Sequence, residues 1–166
     1  MIIEFDENLR TGNSTIDDQH KELIDRIRSF VSACEAGDSK VKAIKMLDYL
    51  DEYTEFHFND EEKLQESVSY PELAKHHEKH EEFKATIKTL YEFLDEHEGP
   101  NDAFTELVKT KVVEWLFNHI KTFDRSVAEY IFLQENPDSF DLVEWVLFDT
   151  HTESVYEAEV DKLYDK

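Results

Sequence analysis

The chain has 166 residues, 40% of them hydrophobic and 13% aromatic, enough for one domain with a real core and too apolar to be a disordered acidic tail. Acidic side chains outnumber basic ones 40 to 18, a net charge of -22 whose field repels phosphate backbones and anionic membranes, so neither nucleic acid nor lipid is an expected partner. Three glycines and three prolines argue for long helices rather than a many-turned β fold.

The opening stretch "MIIEFDENLR" has no basic region and no long apolar run, and no later stretch approaches the ~20 apolar residues of a membrane span. The single cysteine, Cys34, lies at helical spacing from apolar neighbours and reads as a core residue in a reducing compartment, so a cytoplasmic location is expected. After an extended N-terminal arm, a first helix is predicted over 17–36. Gly37 in "CEAGDSK" closes it, and Asp38 or Ser39 caps a second helix over 40–67. Pro71 in "SYPEL" marks the start of a third over 71–97. Gly99 in "HEGPND" stops that helix, and Asn101 or Asp102 caps a fourth over 102–134. Short connections make successive helices antiparallel neighbours. The expected fold is therefore all-α, an up-down-up-down four-helix bundle over residues 1–134.

Each helix carries a stripe spaced three and four apart, with polar residues where leucine would be ordinary. The stripes run Ile16, His20, Leu23, Ile27, Phe30, Cys34; then Leu47, Leu50, Thr54, His57, Glu61, Leu64; then Leu73, His76, His80, Phe83, Ile87, Leu90, Leu94; and last Phe104, Val108, Val112, Trp115, His119, Phe123. One inward histidine is usually a hydrogen-bonded core residue, but burying several polar groups without compensation costs several kcal/mol each. Counted from the predicted helix ends at one pole, His20 stands 16 residues away and His57, His80 and His119 each stand 17. At about 1.5 Å per residue, all four fall in one layer. Inward histidines from four helices sharing a layer make a metal site.

Residues four apart lie one helical turn from each other, so His57 with Glu61, and His76 with His80, can each serve one locus. His119 and Asp124 are five apart, about 140° in projection on an α-helix. Asp124 must then reach in from the edge of the stripe, or the helix must be distorted there. The candidate ligands are His20, His57, Glu61, His76, His80, His119 and Asp124. Seven ligands exceed a tetrahedral zinc site, and five imidazole nitrogens suit Fe, Co, Ni, Cu or Zn rather than calcium or magnesium. Two metals bridged by the two carboxylates use all seven and leave coordination positions open. The E-x-x-H pairs of ferritin-like proteins and the H-E-x-x-H of zinc proteases are both missing.

The pieces "IDDQH" (16–20), "HFNDEE" (57–62), "YPELAKHHEKH" (70–80) and "WLFNHIKTFD" (115–124) together resemble the hemerythrin family, and within it the single-domain bacterial members, over roughly residues 5–125. That resemblance implies two iron ions with a bridging oxo or hydroxo group. One iron would take His76, His80 and His119; the other would take His20 and His57 and keep an open position; Glu61 and Asp124 would bridge them. It also implies an apolar pocket of Leu23, Phe58, Trp115, Leu116 and Ile120 around the open position. The expected ligand is O2, or another small diatomic or anion. The expected role is an oxygen carrier, store or scavenger rather than an enzyme. A peroxidase or nitric-oxide reductase on the same site, or an iron-handling protein, are the alternatives.

Two departures from the family pattern are Phe5, where Trp is usual, and Gln65, where Met is usual. Facing the pocket, Gln65 would admit water and speed oxidation; facing solvent, it would mean little. His77 and His97 are expected at the surface or behind the ligands, and Glu62, Glu66, Glu72 and Glu78 as outward charge. Residues 135–166 lie beyond the family core. Their run Trp145, Val146, Leu147, Phe148 is too apolar for water, so an acidic amphipathic helical extension is expected, packed on the bundle or at the interface of a small homo-oligomer. Deleting 135–166 is expected to lower the melting temperature or change the solution mass. A truncated chain with both unchanged would refute that placement.

Overall fold

The computed structural model describes residues 2–138, and over these it is a four-helix bundle with no strand. The helices are α1 (Ser14–Glu35), α2 (Lys40–Ser67), α3 (Leu73–Glu96) and a continuous rod, α4, over 102–135. The rod is not uniform. Its α-helical pieces Asp102–Val108, Trp115–His119 and Arg125–Glu135 are joined by two π-helical segments, Lys109–Glu114 and Ile120–Asp124. Before α1 the arm is irregular apart from one turn at Glu7–Leu9, and Ile3 and Leu9 anchor it in the core.

Helix ends follow local chemistry. Asn13, Ser39 and Asn101 each accept a hydrogen bond from a backbone N–H two or three residues into α1, α2 and α4, the role of an N-cap side chain. Gly37, at φ 65, closes α1: Asp38 N–H reaches Ala33 O at 3.1 Å and Gly37 N–H reaches Cys34 O at 3.1 Å. The same pattern ends α2 with a serine in the glycine position. Ser69 has φ 54, and Tyr70 N–H donates to Gln65 O at 2.9 Å. This left-handed turn carries the chain past Pro71, so α3 starts at Leu73 rather than at the proline.

Two apolar clusters fill the interior. The larger one joins Leu23, Ile27, Phe30, Leu47, Leu50, Phe58, Phe83, Leu90, Phe104, Val112, Leu116 and Ile120. The smaller one, toward the α2–α3 turn, joins Ile16, Tyr70, Val127, Ala128, Tyr130 and Ile131. Along the bundle the polar layer lies between the two clusters: His20 stands between Ile16 and Leu23 on α1, Glu61 between Phe58 and Leu64 on α2, and Asp124 between Ile120 and Val127 on α4. The polar layer is thus sealed on both sides by hydrocarbon. Cys34 is buried in the larger cluster, where burial, with Glu35 and Asp38 beside it, pushes its thiol up to about 12. It is a core residue, not a nucleophile.

No helix among the described residues is long and apolar enough to cross a membrane. The extension expected from 135 onward is described only through Asp138, and residues 139–166, with Trp145–Phe148 and His151, lie outside the described residues. Phe30 is fully buried, 6.2 Å edge-to-face from Phe104 and ten residues beyond His20. Phe30→Ala is therefore expected to destabilise the metal-depleted protein by about 3–5 kcal/mol in denaturant unfolding. A loss below about 1 kcal/mol would contradict the packing of this core.

Candidate metal centre

All seven residues singled out in the sequence are buried and converge. They form two groups of potential ligand atoms, each within 4.8 Å: Glu61, His76, His80, His119 and Asp124 in one, and His20, His57, Glu61 and Asp124 in the other. The two carboxylates belong to both groups. Asp124 turns Oδ1 toward His76 and His119, at 2.9 and 3.0 Å, and Oδ2 toward His20 at 2.8 Å. Glu61 turns Oε1 toward His76 and His80, at 2.8 and 3.6 Å, and Oε2 toward His57 at 3.5 Å. Each histidine presents Nε2.

Asp124 reaches the layer because the helix changes pitch. The segment Ile120–Asp124 is π-helical, and Arg125 N–H bonds to Ile120 O, five residues back. Wider turns bring residues five apart onto one face, so His119 and Asp124 point the same way. Of the two possibilities the sequence left open, local distortion is the one realised.

The donor chemistry fits metal ions. His20 Nε2, His57 Nε2, His80 Nε2, Glu61 Oε2 and both oxygens of Asp124 are buried and crowd against one another, with no well-aligned hydrogen bond among the described residues. Such an inward set is costly unless a cation lies at its centre. Protonation tells the same story. Burial and Asp124 raise the Glu61 pKa, but His76 and His80 outweigh them and hold it down at about 2. Burial raises Asp124 as well, yet His119 and His20 keep it well below the usual carboxylate range. Burial pushes His57 down to about 4 and also lowers His119. His76 goes the other way: burial lowers it, but Glu61 and Asp124 push it up to about 9. The two carboxylates thus favour the charged form of His76.

Behind the inward atoms stands a ring of supports. His57 Nδ1–H donates to Gln19 Oε1 at 2.7 Å, and Gln19 Nε2 donates to Asp60 at 2.6 Å. His80 Nδ1–H donates to Glu62 at 3.1 Å, and the other oxygen of Glu62 accepts from exposed His77. Gln65 Nε2 lies 3.0 Å from His76 Nδ1 and 3.3 Å from Glu61. Such partners orient a ligating imidazole and fix which nitrogen carries the hydrogen. Phe58 stacks on His80 at 3.8 Å between centroids, and His119 is flanked by Trp115 at 4.6 Å and Phe123 at 5.4 Å.

The supports were the part the sequence reading missed. Glu62 is not outward charge, because it braces His80, and Glu72 is buried in the turn entering α3; Glu66 and Glu78 are exposed. No sequence signal marks Glu62: one position past Glu61 it lies about 100° around the helix, where a solvated charge is the ordinary reading. Gln65 is fully buried, on the side of the layer where the smaller cluster lies and not among Leu23 and Phe58. His97 is at the surface, stacked on Phe93. Leu23, Phe58, Leu116 and Ile120 are fully buried in the larger cluster, while Trp115 is half-buried with its indole N–H 3.3 Å from Glu82.

Comparison with known proteins agrees with this geometry. Residues 11–131 match the Hemerythrin HHE cation binding domain. The chain belongs to the hemerythrin family. It is 29% identical over 130 residues to a bacteriohemerythrin of Stenotrophomonas maltophilia, covering 78% of this chain and 82% of that one. It is 30% identical over 127 residues to a bacteriohemerythrin of Pseudomonas aeruginosa, covering 76% and 80%. A myohemerythrin of Riftia pachyptila is 30% identical over 120 residues, covering 72% and 86%. Membership of a cation-binding family and a buried His/Glu/Asp cluster able to hold metal describe the same site.

Metal loading must displace the His76 proton, because a ligating nitrogen cannot keep its hydrogen. The folded pKa of about 9 lies above that of a free histidine, so the competition strengthens as pH falls below it. Titrating metal-depleted protein with Zn(II) by calorimetry at pH 7, in buffers of different ionisation heat, is expected to show proton release. Apparent affinity is expected to rise by about tenfold per pH unit for one proton, levelling near pH 9. Loading without proton release at pH 7 would show that His76 is neutral beforehand.

Proposed function

We propose that this protein holds two iron ions, with an oxo or hydroxo group between them, and binds O2 reversibly as a carrier, store or scavenger. The observation that carries this reading is the unequal sharing of the cage: three histidines face one side of Glu61 and Asp124, and only two face the other. Two iron ions held there would supply an electron-rich site with one coordination position left to a small ligand. His76, His80 and His119 would fill the first iron's protein positions; His20 and His57 would hold the second and leave it open. Both carboxylates would span the pair.

The chain's own residues favour release of O2 over its chemical conversion. Leu23, Phe58, Leu116 and Ile120 sit on the helical turns next to His20, His57 and His119 and carry no ionisable group. Their burial keeps water and proton donors from the two-histidine side, and proton delivery is what drives reduction of bound O2 onward. The support chains from His57 to Asp60 and from His80 to Glu62 hold the imidazoles in place through repeated cycles.

The test is anaerobic loading with Fe(II), an iron count per chain, and visible spectra as O2 is admitted and removed. Two irons and an absorption band that grows with O2 and fades on its removal are expected. Immediate irreversible oxidation would move the reading to a peroxidase or nitric-oxide reductase, and ready loss of iron to a chelator would move it to iron handling. Retention of one metal or none would refute the seven-ligand cage.

A further inference from the structure

Gln65 is the one support that does not fit a ligating histidine as it stands. Its amide nitrogen faces His76 Nδ1 at 3.0 Å and Glu61 Oε1 at 3.3 Å, while its carbonyl oxygen is buried with no partner among the described residues. An N–H aimed at Nδ1 requires a lone pair there, which neither a protonated ring nor a ring ligating through Nε2 has. Nε2 is the atom that points into the cage, 2.8 Å from Glu61 and 2.9 Å from Asp124. For His76 to offer Nε2 to a metal, the hydrogen must sit on Nδ1 and must find an acceptor. Among the described residues, Gln65 is the side chain hydrogen-bonded to Nδ1.

We infer that Gln65 is a positioning residue for the metal-ligating state of His76, accepting its Nδ1–H through the side-chain carbonyl. The two ends of the amide are nearly equal in size, so turning it over exchanges donor for acceptor without disturbing the packing around a fully buried side chain. The turn brings the carbonyl toward Glu61 Oε1, a contact that costs energy while that carboxylate is unshared and little once a cation draws its charge. Amide orientation and metal occupancy therefore favour each other. Gln65 also has company that fixes it: its own backbone carbonyl is held by Tyr70 N–H in the left-handed turn at Ser69. Gln19 already plays the acceptor part for His57, with its amide nitrogen tied to Asp60 so that the carbonyl faces the ring.

This inference rests on His76 being a ligand, and the experiment separates the two claims. Zn(II) binding is measured by competition with a chromophoric chelator for the unaltered chain, Gln65→Leu and Gln65→Glu. Two zinc ions per unaltered chain are expected; fewer would refute the ligand set itself. With two bound, Gln65→Leu is expected to weaken one of them by about 10- to 100-fold, the usual effect of losing such a support. Gln65→Glu, which can accept but not donate, is expected to recover most of that loss. If the glutamate variant binds as poorly as the leucine variant, or the leucine variant binds as well as the unaltered chain, the acceptor role is wrong. A measurement that needs no variant backs this up. In the zinc-loaded protein labelled with 15N at histidine, His76 Nδ1 is expected to carry a slowly exchanging hydrogen. A hydrogen-free Nδ1, or one exchanging as fast as an exposed ring, would overturn the assignment even if both variants fail to fold.

Discussion

Two carboxylates that cannot reach water govern this molecule. Glu61 and Asp124 are essentially inaccessible, and both are held ionised by the imidazoles around them. An unpaired buried charge costs several kcal/mol, and breaking such a pairing by removing one partner is among the most damaging changes a core can suffer. The bundle therefore has to bring five histidines to these two side chains from four different helices. The rest of the architecture can be read as the means of doing so. Apolar clusters above and below keep water from relieving the charge, which is also what favours a cation in the layer.

Delivering seven side chains to one place strains the regularity of the helices. In α2 and α3 the inward polar residues obey ordinary four-residue spacing, and those helices, like α1, are regular. In α4 the spacing from His119 to Asp124 is five, and the helix widens into a π turn at that place. The correlation has a plain cause: an α-helix would aim Asp124 away from the centre, and the electrostatic gain at the centre outweighs the weaker hydrogen bonding of the wider turn. A second π segment, Lys109–Glu114, lies one stretch earlier in the same rod and contains no ligand.

The supports set the difference between a cluster and a cage. Five imidazoles free to rotate would offer either nitrogen; here Gln19, Glu62 and Gln65 stand at the outward nitrogens of His57, His80 and His76. Glu62 is itself tied to His77 at the surface, so the rigidity of the buried layer extends to solvent through one carboxylate. The two inward histidines with no such partner at Nδ1 among the described residues, His20 and His119, are held by ring contacts instead: His20 lies edge-on to His57 at 4.9 Å, and His119 lies between two aromatic faces.

Periodicity was enough to read the helices, the stripes and six of the seven inward residues, all but Asp124, because a helix repeats a face every three or four positions wherever it is placed. The common layer of His20, His57, His80 and His119 was legible for the same reason: helix rise is constant, so equal counts from one pole mean equal heights. Three things were decided only by the tertiary structure. The start of α3 depended on a left-handed Ser69 that carries the chain past Pro71. The aim of Asp124 depended on whether the charge at the centre could pull α4 out of regular pitch. The roles of Glu62 and Gln65 depended on what faced them from α3, and a charged or polar residue looks alike in sequence whether it meets solvent or an imidazole. A chain's own spacing fixes the face each residue shares; what stands opposite that face belongs to another helix.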